Sequence, residues 1–229
     1  MMLAARGAFL AARRKPKLPY DAEVEYLEST GTQWIDTGYC PVSTDRITLT
    51  GEIQNLPSNN GVTYAICGCR NSPTDAYVGG QVYDGIIYGT FHNGIRLSNL
   101  DRYRASGTVY KTAFTLTLGN DERRVDINRK TYASYLTSES FVATKSIWLF
   151  AFNGTDWQSL NYRLHSFEVE GKVSMIPVRF TNEQGVSEGA MYDRANPTVG
   201  INPDGSPRTD GLYRNRGRGA FLYGSDKTA

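Results

Sequence analysis

The chain has 229 residues, 40% of them hydrophobic and 12% aromatic, with a net charge of +2. That length and apolar content suit one large all-β domain, while 23 glycines and 15 tyrosines favour short strands and tight turns over helices. No apolar run approaches the roughly 20 residues that cross a bilayer, and the near-neutral body lacks the broad basic face that nucleic-acid binding needs.

The charge is uneven. Arg6, Arg13, Arg14, Lys15 and Lys17 put five positive charges and no acid into the first nineteen residues. Arg6 interrupts the apolar stretch and the main basic cluster follows it, the reverse of a secretory signal. Leu3, Gly7 and Leu10 recur at i, i+4 and i+7, so the segment predicts an extended or short-helical arm stopped by Pro16. Residues 1–19 are expected to dock on an acidic partner through Arg6, Phe9, Leu10, Arg13, Arg14, Lys15 and Lys17. Guanidinium groups make charge-assisted bonds to carboxylates.

From residue 20 the hydrophobic period is close to two. The run "EVEYLESTGTQWIDTGY", residues 23–39, starts as a strand, breaks at Ser29 to Thr32 and resumes. Gly31 would allow the turn and Trp34 would pack on the core. Strands are predicted over 23–28, 33–37, 46–54, 62–70, 76–83, 85–92, 109–118, 123–128, 146–152, 161–170 and 172–180, with a last one in "GAFLYGSD". Phe114, Leu116 and Leu118 face one way and Thr115 and Thr117 the other, the pattern of a half-buried antiparallel strand. Gly119, Asn120 and Asp121 then make a tight turn.

"SIWLFAF", residues 146–152, is apolar on both faces and predicts a central strand covered on both sides. "ANPTVGINPDGSPRTD", residues 195–210, predicts a surface loop inserted before the final strand. Many short strands without a βαβ rhythm point to an antiparallel β-sandwich or jelly roll over residues 20–229. Cys40, Cys67 and Cys69 form neither a disulfide framework nor a zinc-ligand spacing. Cys67 and Cys69 should share one strand face, and free, mostly buried thiols suit folding in a reducing cytoplasm.

Three segments carry a family resemblance. "YDAEVEYLESTGTQWIDTGY" (20–39), "SIWLFAFNGTDWQSLNYRLHSFEVEGKVSMIPVRF" (146–180), and "GAMYDR" with "LYRNRGRGAFLYGSD" (189–194 and 212–226) occur in that order. They resemble the opening strand-turn-strand, the paired late strands and the closing segment of concanavalin A-like, laminin-G-type β-sandwich domains. Such domains are abundant in phage and prophage structural proteins of gut bacteria. The resemblance implies a concanavalin A-like jelly roll whose first strand pairs near the last and closes the sheet edge.

Related sandwiches include glycan hydrolases, and retaining ones hold two carboxyl groups about 5–5.5 Å apart. Glu23/Glu25 and Glu168/Glu170 have the parity for this but not the E-x-D-x-x-E pattern, and read as solvated edge charges. His92 and His165, the only histidines, lack a G-x-S-x-G elbow, so no enzymatic activity is expected. Many laminin-G-type domains bind calcium; Asp75, Asp84, Asp101 and Asp156 lie in predicted loops without EF-hand-like clustering, so calcium is a minor candidate and no other cofactor is expected.

The loop "FNGTDWQ" offers Asn153, Asp156, Trp157 and Gln158 as candidate glycan-binding residues. An aromatic face stacks on a pyranose ring while polar neighbours hold its hydroxyls. Tyr83 and Tyr88 flank another turn, and the rival reading folds Trp157 back over the sandwich mouth. The resemblance and the arm together lead to one expectation. The chain should be a non-enzymatic bacteriophage virion protein (capsid decoration, head fibre or tail component), assembled in multiple copies with other virion proteins in the host cytoplasm. The alternative is a carbohydrate-binding adhesin module for bacterial surface glycans.

Overall fold

The structure, a computed structural model, describes residues 18–55, 61–72, 75–83, 86–92, 110–119, 121–127, 130–134, 140–155, 158–197 and 209–228. Its strands in chain order are β1 (Ala22–Glu23), β2 (Leu27–Glu28), β3 (Ile35–Asp36), β4 (Arg46–Asn55), β5 (Thr63–Ser72), β6 (Asp75–Tyr83), β7 (Ile86–His92), β8 (Tyr110–Gly119) and β9 (Arg123–Ile127). They continue with β10 (Lys130–Ser134), β11 (Trp148–Leu149), β12 (Gln158–Ser159), β13 (Tyr162–Val169), β14 (Val173–Thr181), β15 (Ser187–Asp193), β16 (Leu212–Tyr213) and β17 (Leu222–Tyr223). Two sheets pack face to face as an all-β sandwich, and no helix occurs among the described residues.

The larger sheet runs β10–β9–β8–β4–β13–β14–β15–β16, antiparallel throughout. Alternation sets its faces. Phe114, Leu116 and Leu118 of β8 fill the core, while Thr115 and Thr117 register against Thr50 and Thr48 of β4. β13 and β14 turn at Gly171, pair over only three residues, Phe167–Val169 against Val173–Met175, and then diverge. Both ends of the chain fill the gap: β1 pairs with β14, β2 with β13, and β17 with β2. Val24 and Leu27 are fully buried there. Ion pairs fasten this plug, Arg163 to Glu28 at 2.7 Å, Arg179 to Asp226 at 2.8 Å and Arg194 to Glu23 at 2.6 Å. The first and last strands therefore pair as expected, but they fill a gap within the sheet and do not close its edge.

The smaller sheet runs β3–β11–β5–β6–β7, with β12 parallel beside β5. Its glycines set how closely its neighbours approach. A Cβ on Gly80 or Gly89 would come within 2.5 Å or 2.8 Å of Leu116 or Leu118 across the core. On the outer face, Gly68 (φ +147) and Gly79 (φ +153) lie under the Phe152 ring, where a Cβ would reach 2.3 Å and 2.7 Å. Cys67 and Cys69 share the inner face, as their spacing predicts, and both are buried; Cys40 is exposed.

Tyr162 and Arg123 hydrogen-bond across the core. Tyr162 Oη donates to the Ile66 carbonyl at 2.9 Å, and the fully buried Arg123 donates to the Phe91 carbonyl at 3.2 Å and 2.7 Å. Burial lowers the Arg123 pKa. A second cluster covers the opposite face of β14–β15–β16, with Ile176, Val178, Phe180, Ala190, Tyr192 and Leu212 packed together and Tyr20 against them.

Several predicted elements differ. The 146–152 strand spans only Trp148–Leu149, because Phe150 takes the left-handed conformation at φ 65. Its ring turns inward to Tyr162 and Phe221, with centroids 4.7 Å and 4.9 Å away. The segment is apolar on both sides because it bends around the sheet. β10, β12, β15 and β16 were not predicted, and two strands follow the 195–210 loop instead of one. The ends of that loop meet where Asp193 N donates to the Gly211 carbonyl at 3.2 Å. Residues 198–208, Asn120 of the predicted turn and residues 1–17 lie outside the described residues.

A candidate ligand face on the smaller sheet

The run 23–39 builds a clamped corner. Gly31 takes φ +100, which lets the chain reverse between β2 and β3. Gln33, buried beneath it, accepts from Thr30 N at 2.9 Å and Ser29 Oγ at 3.1 Å, and donates to the Ala220 carbonyl at 3.1 Å. The closing segment then seals the outer edge of β3: Arg216 N donates to the Trp34 carbonyl at 2.8 Å, and Trp34 N donates to Asn215 Oδ1 at 3.2 Å. Gly217 permits this approach, since a Cβ there would lie 1.9 Å from the Thr32 oxygen.

Ile35 and Leu149 point into the core, so Trp34, Asp36 and Trp148 face outward by strand alternation. The two half-buried indoles stack with centroids 4.0 Å apart and planes 28° from parallel. Asp36 Oδ1 accepts from Ser146 Oγ at 2.5 Å and Gly38 N at 2.8 Å, and Oδ2 accepts from Arg216 Nη1 at 3.1 Å. Asn153 Nδ2 donates to the Ser146 carbonyl at 3.0 Å. The Trp148 Nε1 donor is buried and has no acceptor among the described residues. The arrangement offers aromatic stacking beside directed polar groups.

Of the candidate glycan residues, Asn153 joins this network, and its backbone bridges to Cys69 of β5. Asp156 and Trp157 lie outside the described residues, as does the side chain of Gln158, whose backbone forms β12. The docking candidates Arg6, Phe9, Leu10, Arg13, Arg14, Lys15 and Lys17 lie there as well. Glu23 binds Arg194 at 2.6 Å, and Glu25, Glu168 and Glu170 are exposed. His165 hydrogen-bonds the Glu25 carbonyl at 2.9 Å, which places its proton on Nδ1. The His92 and Asp75 side chains, Asp84 and Asp101 are outside the described set. Tyr83 is exposed and Tyr88 half-buried.

Among the described residues, no group of three His, Cys, Asp or Glu stands together as metal ligands. Burial pushes the Cys67 thiol up to about 12 and Cys69 further, leaving both protonated near neutrality. Sequence reasoning missed Trp148, Ser146, Asp36 and Arg216 as neighbours. Their separations in sequence carry no periodic signal; β3–β11 pairing and the closing segment bring them together. No family model matches the chain, and no curated protein matches it in sequence.

Proposed function

We propose that the chain is a non-enzymatic structural protein of a bacteriophage particle, a capsid decoration, head-fibre or tail component of the concanavalin A-like, laminin-G-type kind. The observation that carries this reading is the way the basic arm is rooted. The chain enters the sandwich at Tyr20, whose ring packs on Tyr192 with centroids 5.0 Å apart, and at Asp21, whose N–H donates to the Arg179 carbonyl at 2.8 Å. The five cations of residues 1–19, with no acid among them, precede this entry point and would suit an acidic groove on a neighbouring subunit.

The test is deletion of residues 1–19. The shortened chain is expected to fold and to be lost from purified particles; normal incorporation would overturn the proposal. A second reading, a carbohydrate-binding module for bacterial surface glycans, is favoured by the outward stack of Trp34 and Trp148. Both roles fit one particle protein.

A further inference from the structure

We propose that the outer face of β3 and β11 is a binding site for a neutral saccharide. Trp148, backed by Trp34, stacks on a pyranose ring, while Arg216 and Asn153 hold its hydroxyls. The proposal deepens the carbohydrate-binding reading and rests on it.

Four observations carry it. First, the two indoles stack half-buried, with Trp34 braced against the edge of the core cluster and Trp148 on the outward side of β11 by strand alternation. A ring braced by a second ring is a rigid platform that loses little freedom when a sugar settles on it. Second, the surrounding polar groups are held in place without being saturated. Asp36 fixes Arg216 through Nη1, leaving other guanidinium donors for a ligand, and Asn153 commits Nδ2 to Ser146, leaving Oδ1 as an acceptor. Asp36 balances the Arg216 charge, so this pair offers hydrogen-bond donors to hydroxyls rather than a bare cation to an anionic sugar, with Lys145 beyond it near Gly154.

Third, the Trp148 indole N–H is a buried donor without an acceptor among the described residues. Such a group is rare, and a ligand oxygen would satisfy it once a small shift of the ring uncovers the N–H. Fourth, a peptide adding itself as a strand would need an open edge, and the outer edge of β3 is already taken by the Arg216 N–H bond to the Trp34 carbonyl at 2.8 Å.

The experiment is calorimetric and fluorescence titration of the full chain with cellopentaose, maltopentaose, chitopentaose and laminaripentaose at millimolar concentrations, with a melting curve for every variant. At least one sugar is expected to bind and to shift tryptophan emission to the blue. Trp148→Ala should weaken binding about tenfold or more, as loss of a stacking contact would. Trp148→Phe, which keeps a ring but removes the N–H, and Arg216→Ala should each weaken it several-fold with melting curves near that of the parent. If Trp148→Ala does not fold, the last two variants decide, and unchanged affinity in both overturns the site. Binding that survives all three variants but is lost in Trp157→Ala overturns this site and keeps the carbohydrate reading. No binding of any of the four sugars overturns both.

Discussion

Gln33 holds the corner between β2 and β3 through side-chain bonds where no backbone ladder exists. Its amide serves Thr30, Ser29 and Ala220 from a buried position. Gln33→Leu keeps the volume but strands the Thr30 N–H and the Ala220 carbonyl, so stability should fall by about 2 kcal/mol, read as a lower urea midpoint at unchanged m. Asp45 plays a similar part at the next corner, where its buried carboxylate accepts from Lys172 Nζ at 2.6 Å, Tyr39 Oη at 2.8 Å and Val42 N at 2.8 Å. The bond to Asp45 pushes the Lys172 ammonium up to about 12, and burial followed by Asp45 raises the Tyr39 hydroxyl. A raised folded-state pKa stabilises fully below the unfolded value and is lost as pH climbs through the folded one. The stability advantage of the parent over Lys172→Met should therefore hold to about pH 10 and vanish by about pH 12. Urea midpoints measured across that window check it; an advantage that persists at the top would contradict the pairing.

At the scale of elements, the glycines of β5, β6 and β7 decide how closely the layers meet. Gly80 has ordinary backbone geometry, so Gly80→Ala tests packing alone: the added methyl meets Leu116 Cδ2 at 2.5 Å. Overpacking of this kind costs about 1–3 kcal/mol, measurable as a lowered melting temperature with the native sheet signal retained. Alternation made β8 legible in sequence, because a strand with one face in the core repeats every second residue. It misjudged 146–152, since an apolar run reads alike whether it is a straight central strand or a bent one. Phe150 decides between them by turning left-handed to put its ring beside Tyr162. β15, "SEGAMYD", lacks β-branched residues and was hidden inside a polar break; its pairing with β14 makes it a strand.

At the scale of the whole molecule, the two chain ends fill one gap between β13 and β14. A chain starting at residue 20 should keep the parent's melting temperature within a few degrees, because Tyr20, Val24 and Leu27 all remain. A chain starting at residue 29 should fail to fold, having lost two fully buried core side chains and the strands that bridge the diverging pair. A cooperative native-like transition in the shorter chain would contradict this account of the plug.

The sequence by itself determined the all-β class, most strand positions, the turn at Gly31, the shared face of Cys67 and Cys69 and the concentration of five cations in the first nineteen residues. All of these follow from local pattern, through periodicity, turn chemistry and charge count. Only the tertiary structure decided where the ends go, how β11 is cut short, and that Trp34, Asp36, Trp148 and Arg216 share a face. Those outcomes depend on contacts between segments that lie apart in the chain, for which strand alternation fixes a face but names no partner.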